Sequence, residues 1–284
     1  MRVLVTGGAG FIGTNLIKRL LSDNHEVCSI DNYSTGKKEN EISECYYIPL
    51  DINLLNKLDK NEFEPTNNID VVFHLAAKSR IQPSFTTPGD YIDTNFNGTY
   101  EIVKYCTRKN IPLIYAGSSS HHSGKLSNPY TFSKDMGEDI IRLYQKHYGL
   151  KSSIARFYNV YGPYQLTEGG YTTLIGKWLN NIQKGIPCEI YGNGEKRRDF
   201  THVDDIVDGI VRIMKQQAYN NVFEFGRGKN YSVNEVAKLF NISPLYKEEK
   251  LGEAQDTLAD NSIPRNILGW EPKINLEDYI REQL

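Results

Sequence analysis

The chain has 284 residues, enough for one large domain or two smaller lobes, and its 33 Lys and Arg against 35 Asp and Glu leave a net charge of −2. That balance excludes the basic field expected of a nucleic-acid or anionic-membrane binder, and no apolar run approaches the ~18 residues of a membrane span. The scattered Cys28, Cys45, Cys106 and Cys188 make no C-x-x-C pair and the opening MRVLVTGG lacks the apolar core of a secretory leader, so a reduced, cytoplasmic enzyme with a small-molecule partner is expected.

Short apolar runs at Val3–Thr6, Glu26–Ile30, Tyr46–Pro49, Val71–Leu75 and Leu113–Ala116 predict strands. Helical spacing fills the gaps at Phe11–Leu21, Asn53–Lys60 and Tyr91–Lys109. Tyr130–Tyr148 predicts a further helix stopped by Gly149, and Ser152–Phe157 a sixth strand. Strands separated by helices require parallel pairing with right-handed crossovers. The expected fold is therefore α/β, a Rossmann-like doubly wound parallel sheet over residues 1–160.

After Tyr161, glycine and proline punctuate a looser region. Val203–Lys215 and Ser232–Phe240 predict helices, Val222–Phe225 a strand, and Leu276–Leu284 closes the chain. Residues 161–284 are expected to form mainly a smaller C-terminal α/β substrate lobe over the carboxyl ends of the strands, with 200–226 returning to the first domain.

The first strand runs into Gly7-Gly8-Ala9-Gly10-Phe11-Ile12-Gly13 and then a helix. In G-x-x-G-x-x-G, glycine permits the tight turn and the close approach of backbone to a pyrophosphate, and the helix N-terminus faces the anion. Asp31 ends the second strand, 18 residues beyond Gly13, where a carboxylate binds both ribose hydroxyls and repels a 2′-phosphate. NAD is thus the expected cofactor. Asp51, followed by Ile52, would sit near the adenine edge or serve as a helix N-cap.

Further along stand His74-Leu75-Ala76-Ala77, Asn95-x-x-Gly98-Thr99, Pro129-Tyr130-x-x-x-Lys134, Arg156-Phe157-Tyr158-Asn159-Val160-Tyr161-Gly162-Pro163, Arg198-Asp199-Phe200 and Leu268-Gly269-Trp270-x-Pro272. With the glycine loop, they make the chain resemble, nearly end to end, the nucleotide-sugar epimerases and dehydratases of the extended short-chain dehydrogenase/reductase family. The resemblance adds Phe11, Ile12, Asn32, Leu75, Ala76, Ala77, Asn95 and Phe157 to the expected cofactor contacts. It also implies a homodimer through the Tyr91–Lys109 and Tyr130–Tyr148 helices.

The spacing Tyr-x-x-x-Lys occurs five times, and only Tyr130/Lys134 begins a helix shortly after a strand that ends in serines. One helical turn brings the two side chains to the same face. A tyrosine acting as base near neutral pH must titrate ~3 units below its ordinary ~10, which takes about 4 kcal/mol. One ammonium at ~4 Å in an effective dielectric of ~20 supplies about that much, so Lys134 is expected to acidify Tyr130 while holding the nicotinamide ribose. By family analogy Ser120 would be the catalytic serine, with Ser118 nearer the nicotinamide. Only nine residues separate Ser120 from Tyr130, a shorter loop than most of the family carries, which leaves open which serine points inward.

The resemblance also bears on the reaction. Dehydratases of this group carry Asp-Glu after the catalytic hydroxyl residue and decarboxylases a Glu; this chain has His121-His122 there. Adjacent histidines in a polar loop suit solvent better than catalysis, and no metal is expected. What remains is a 4-epimerase of a UDP-hexose, with other nucleotide-sugar-modifying activities and a non-catalytic dinucleotide sensor as alternatives. The family positions for the UDP-sugar fall on Asn159, Leu174, Tyr191, Arg198, Glu253 and Thr257. Lys250 stands where the family has a second arginine and loses its bidentate fork. The lesser alternatives are that Tyr191 is simply core and that Lys196-Arg197-Arg198 is a solvated basic face. Thr257, small at a gate position, would admit an N-acetyl group.

Overall fold

The β-branched runs of the N-terminal half are buried on both sides, which fits them for a parallel sheet covered by helices. In the computed structural model, which describes residues 1–57 and 67–284, strand β1 (Arg2–Thr6) leads through the glycine loop into helix α1 (Phe11–Ser22) and then β2 (Glu26–Asp31). Next come β3 (Tyr46–Pro49) and a 3₁₀ segment, Ile52–Lys57, where a helix over 53–60 is expected from the spacing. Residues 58–60 of that expectation lie outside the described residues.

Strand β4 (Val71–His74) is followed by α2 (Ile81–Thr86), α3 (Pro88–Tyr91), a π-helical stretch Ile92–Gly98, and α4 (Thr99–Lys109). The helical path thus starts at Pro88, three residues before the predicted Tyr91, because proline at the first turn forfeits no intrahelical bond. Strand β5 (Leu113–Ser118), helix α5 (Pro129–Tyr148) and β6 (Ser152–Phe157) complete this half. Asn128 caps α5 by accepting from Thr131 N at 2.8 Å, and Gly149 ends it at φ 71°.

The second half supplies β7 (Val160–Tyr161), α6 (Leu174–Gln183), β8 (Glu189–Tyr191), β9 (Arg197–Asp199), β10 (Thr201–His202), α7 (Val203–Gln216), β11 (Val222–Phe225), β12 (Asn230–Ser232), α8 (Val233–Leu239), β13 (Leu245–Lys247), α9 (Ser262–Leu268) and α10 (Leu276–Gln283). Helix α8 opens with a full capping box between Ser232 and Glu235.

Among the described residues the main sheet has seven parallel strands in the order β11-β6-β5-β4-β1-β2-β3, as a doubly wound fold requires. One apolar layer packs α1 and α7 on one face, including Leu16, Ile17, Ile206, Ile210 and Trp270. The other, including Ile102, Val103, Cys106 and Ile141, packs α4 and α5 on the opposite face. A third cluster around Tyr161, Trp178, Phe200, Tyr231 and Tyr279 belongs to the second half.

From the second half, β11 pairs with β6 and α7 packs on α1. The segment after α9 joins the same layer. Leu268 and Trp270 enter the first layer, Trp270 Nε1 donates to Asp205 O at 2.9 Å, and Asp205 accepts from Lys273 N and Ile274 N. All four cysteines are free and buried, and no described helix is long and apolar enough to cross a membrane.

Candidate active site

A cleft of about 380 Å³ opens beyond the carboxyl ends of the sheet strands, floored by Gly7, Leu75, Ser118 and Phe157 and roofed from the second half by Asn159, Arg198, Glu253 and Thr257. Gly10, Phe11, Ile12, Gly13, Asp31, Asn32, Ile52, Ala76, Ala77, Ser120, Tyr130 and Lys134 line the same space. Residues scattered over 250 positions therefore converge on one pocket.

At its far end is a cradle for a dinucleotide. Gly7 sits at φ 77°, and a Cβ on Gly13 would lie 2.2 Å from Gly7 O and 2.7 Å from Gly8 Cα, so only glycine closes the loop onto α1. Asp31 Oδ2 accepts from Ala9 N at 2.9 Å and Oδ1 from Tyr33 N at 2.8 Å, which pins the carboxylate at the rim. Burial pushes the Asp31 carboxyl up, against the pull of these two hydrogen bonds. A tight glycine turn, a helix N-terminus and an oriented acid beyond them fit the diphosphate and ribose of NAD.

Two of the expected cofactor contacts already have protein partners. Asp51, between the cleft-lining Leu50 and Ile52, accepts from Asn53 N at 2.9 Å and from Asn32 Nδ2 at 2.8 Å. Asn95, fully buried in the π stretch, spends its amide on Lys78 N, Lys78 O and Ser133 Oγ. It ties the segment after β4 to α5 instead of reaching the cleft.

Behind the cradle, buried His74 bridges Thr6 Oγ1 at 2.7 Å and Thr99 Oγ1 at 3.0 Å, and Thr6 Oγ1 accepts from Ala76 N. Burial lowers His74 to about 3, with the Lys134 charge adding to the effect. The folded value lies below the unfolded ~6.5, so the unfolded chain binds the extra proton first, and stability is complete above pH ~6.5 and drains away as pH falls towards 3. Wild type should lose about 2 kcal/mol between pH 6.5 and 5 from this residue alone. Urea titrations at both pH values should show a smaller acid loss in His74→Asn; an equal loss would refute the assignment.

At the reacting end, Tyr130 lies in the first turn of α5 and its ring meets that of Tyr91 edge-on, centroids 6.2 Å apart. Ser118 lines the same cleft, and its Oγ accepts from Ser120 N at 3.2 Å. Ser120 lines the cleft too, with a buried Oγ that has no protein partner. Strand β5 extends two residues beyond the predicted Ala116 and ends at Ser118.

Lys134 lines the same cleft, one turn beyond Tyr130 on α5. Its Nζ stands 4.2 Å from the centroid of the Tyr115 ring, and burial pulls the ammonium down to about 7 against the Glu138 charge. Tyr130 itself is raised above the ordinary phenol value, because burial outweighs the Ser118 hydrogen bond and the charge of Arg80.

Arg80, which sequence reading passed over, sits on the cleft wall at φ 81°. Tyr91 Oη donates to Ser79 O at 2.7 Å and Arg80 O at 3.0 Å, and Arg80 Nε donates to Tyr171 O at 3.2 Å. No motif marked it, since a lone arginine in a polar segment has no distinguishing neighbours.

On the substrate side, Arg198 Nη2 donates to Glu253 Oε2 at 3.1 Å, and Asn159 Nδ2 donates to Asp199 O at 2.9 Å and Thr257 Oγ1 at 3.3 Å. Arg198 is thereby neither solvated nor isolated. Tyr191 and Lys250 lie off the cleft wall, with the ammonium 3.5 Å from the ring centroid, so a cation covers the face on which a base would stack. Leu174 opens α6 and packs on the third core cluster, also off the wall.

The two histidines keep much of their side chains in solvent while each pairs with a carboxylate. His121 Nδ1 pairs with Asp135 Oδ1 at 2.9 Å and His122 Nε2 with Glu224 Oε1 at 2.5 Å. His121, Asp135 and Glu138 bring ligand-type atoms within 4.8 Å of one another. Glu138, however, has both oxygens committed to Arg156 and one also to Arg142.

Known proteins resemble the chain over its whole length. Residues 3–226 match the family model described as the NAD dependent epimerase/dehydratase family. A UDP-glucuronate 4-epimerase of Thermodesulfobacterium geofontis is 31% identical over 98% of this chain and 93% of its own. A UDP-N-acetyl-α-D-glucosaminuronate decarboxylase of Bacillus cytotoxicus is 30% identical over 84% of this chain and 78% of its own. The crystal structure of UDP-glucose 4-epimerase from Thermotoga maritima with UDP-glucose superposes with a TM-score of 0.89 at 27% identity, covering 99% of this chain and 96% of that one.

Proposed function

The chain belongs to the NAD-dependent epimerase/dehydratase family, and from that membership we propose that it is a 4-epimerase of a UDP-hexose. The observation that carries the reading is the convergence of Tyr130, Lys134, Ser118 and Ser120 on the cleft that also holds the dinucleotide cradle. Relatives differ in reaction, so the choice among them rests on the residues after the serines. Positions 121 and 122 carry His in place of an acid, and the two imidazoles pair with Asp135 and Glu224, so neither position offers a carboxylate of its own to eliminate water or assist loss of CO₂.

Tyr130 takes the 4-hydroxyl proton while Ser118 orients that oxygen. NAD would be held by the glycine cradle and Asp31 and would supply the acceptor for the C4 hydride. Ser118 and Tyr130 hold the 4-keto oxygen, Arg198 retains the diphosphate while the sugar turns over, and Tyr130 returns its proton to the C4 oxygen once the opposite face is presented. Lys134 holds the nicotinamide ribose, and Asn159 and Glu253 border the nucleotide. Residues 1–160 with 200–226 form the cofactor domain in this reading, and 161–284 mainly the substrate lobe. Tyr191 joins the substrate site once the Lys250 ammonium leaves its face and moves to the diphosphate. A homodimer through α4 and α5 completes the assembly, supported by the exposed Leu143 and Tyr148 on α5.

Purified enzyme given a panel of UDP-hexoses should form a C4 epimer, followed by NMR, with no net NADH. Absence of any epimer, or stoichiometric NADH, would sink the proposal. Thr257, whose small side chain faces the sugar, leaves room for a C2 N-acetyl group. Thr257→Tyr should depress turnover of UDP-N-acetylglucosamine at least ~10-fold relative to UDP-glucose, by the ~1.4 kcal/mol a single pocket clash costs. An unchanged ratio in competition assays would count against this gate.

A further inference from the structure

We propose that Asn128 is a positioning residue that fastens the roof of the cleft to the start of the helix carrying Tyr130, and so holds a nucleotide-sugar in place, an inference that rests on the reading of the cleft as a nucleotide-sugar site. Asn128 is buried at the N-cap of α5, two residues before Tyr130. Its Oδ1 accepts from Thr131 N at 2.8 Å, and its Nδ2 donates to Gly252 O at 3.1 Å and to Ser127 Oγ at 3.1 Å. Capping needs only the acceptor, and Ser or Asp serves a helix N-terminus about as well as Asn. The amide adds two N–H donors that the helix does not use. One of them reaches a carbonyl 124 positions away.

That carbonyl belongs to a roof turn fastened mainly by polar contacts. Leu251, the apolar side chain of the turn, is 81% exposed and anchors nothing. Gly252 sits at φ 75°, and a Cβ there would stand 2.9 Å from Phe85 Cζ on α2 and 3.5 Å from Asn128 Cβ, so the turn lies directly against both. Gln82 Nε2, also from α2, donates to Leu251 O at 3.0 Å. Two consecutive carbonyls of the roof are therefore held by side-chain amides from the first half of the chain. The next two residues, Glu253 and Ala254, line the cleft, and Glu253 accepts from Arg198 on one oxygen and from Gln82 on the other. Hydrogen bonds of this kind exchange for water at small net cost, so the turn opens without disturbing a hydrophobic layer. When it closes, the Asn128 amide sets Glu253 against the same helix start that places Tyr130.

The test compares Asn128→Asp and Asn128→Ser with wild type, each as the full chain with NAD bound. Both keep the cap acceptor; Asp presents a carboxylate oxygen to Gly252 O, and Ser falls short of it. UDP should bind either variant ~5–10-fold more weakly and leave faster in stopped flow, the effect of losing one hydrogen bond. KM for the UDP-hexose that is turned over should rise by a similar factor with kcat within ~2-fold, while NAD content and melting temperature stay at wild-type values. A fall in kcat with KM unchanged, or UDP affinity equal to wild type in both variants, overturns the proposal.

A second readout needs no ligand beyond NAD. Hydrogen exchange followed by mass spectrometry should show the peptide over 250–256 exchanging at least ~5-fold faster in both variants, with the first turn of α5 unchanged. Equal exchange over 250–256 refutes the role of Asn128 even if no substrate is found. Failure of wild type to bind UDP would instead remove the nucleotide-sugar reading, and exchange would still decide whether Asn128 holds the roof.

Discussion

Tyr130→Phe is expected to lower kcat by about 10²–10⁴-fold, the usual contribution of a positioned general acid–base. The substitution removes one oxygen and keeps the ring, so the edge-on contact with Tyr91 survives. Ser118 keeps the hydrogen bond it accepts from Ser120 N, leaving no orphaned donor behind. Stability should therefore change by no more than about 1 kcal/mol, the net worth of one hydrogen bond. NAD content, read from absorbance after denaturation, should match wild type, because the glycine cradle and Asp31 lie at the other end of the cleft. The decisive measurement is C4 epimer formation by NMR under saturating UDP-hexose. Turnover at the parental rate would mean that another group moves the proton.

The second large effect is structural. Gly13→Ala places a methyl 2.2 Å from Gly7 O, 2.7 Å from Gly8 Cα and 2.9 Å from Gly7 C. All three atoms are backbone of the same loop, so no side-chain rotation can relieve the clash. Either α1 slides away from α7, at the expense of the layer that holds Leu16 and Ile17, or the loop opens. A loss of about 3 kcal/mol is expected, the upper range for forced overpacking, and the purified variant should carry no NAD. Gly10→Ala, whose methyl meets only Gly7 O at 3.2 Å, should fall between this variant and wild type. Gly89→Ala, with nothing within 4 Å on α3, should leave the melting temperature unchanged or slightly raised. If Gly13→Ala melts with wild type and retains NAD, the close loop–helix packing is not what binds the cofactor.

Much of the first half was legible because its signals are local. A buried parallel strand needs a short apolar run on both faces, and a crossover helix needs a stripe, so the alternation reads directly along the chain. The second half was less legible. Its strands are two to four residues long, too short to show a period, and α6 was missed although Leu174, Ile175, Trp178, Leu179 and Ile182 keep helical spacing after the Thr173 cap. Asn95 and Asp51 read as ligand contacts in the sequence, where an amide or carboxylate near a motif looks the same whether it faces a cofactor or a neighbouring backbone. Their protein partners, Lys78 and Ser133 for one and Asn53 for the other, are set by packing.

What the sequence determined by itself is the glycine loop, the alternation of strands and helices in the first half and the helix opening at Tyr130, since each follows from residues adjacent in the chain. Only the tertiary structure decided the order of the strands in the sheet and brought Arg80, Ser118 and Tyr130 to one cleft. The reason is physical: burial and Coulomb fields depend on distance through space, and Arg80 is 50 positions from Tyr130 in the chain yet lines the same cleft.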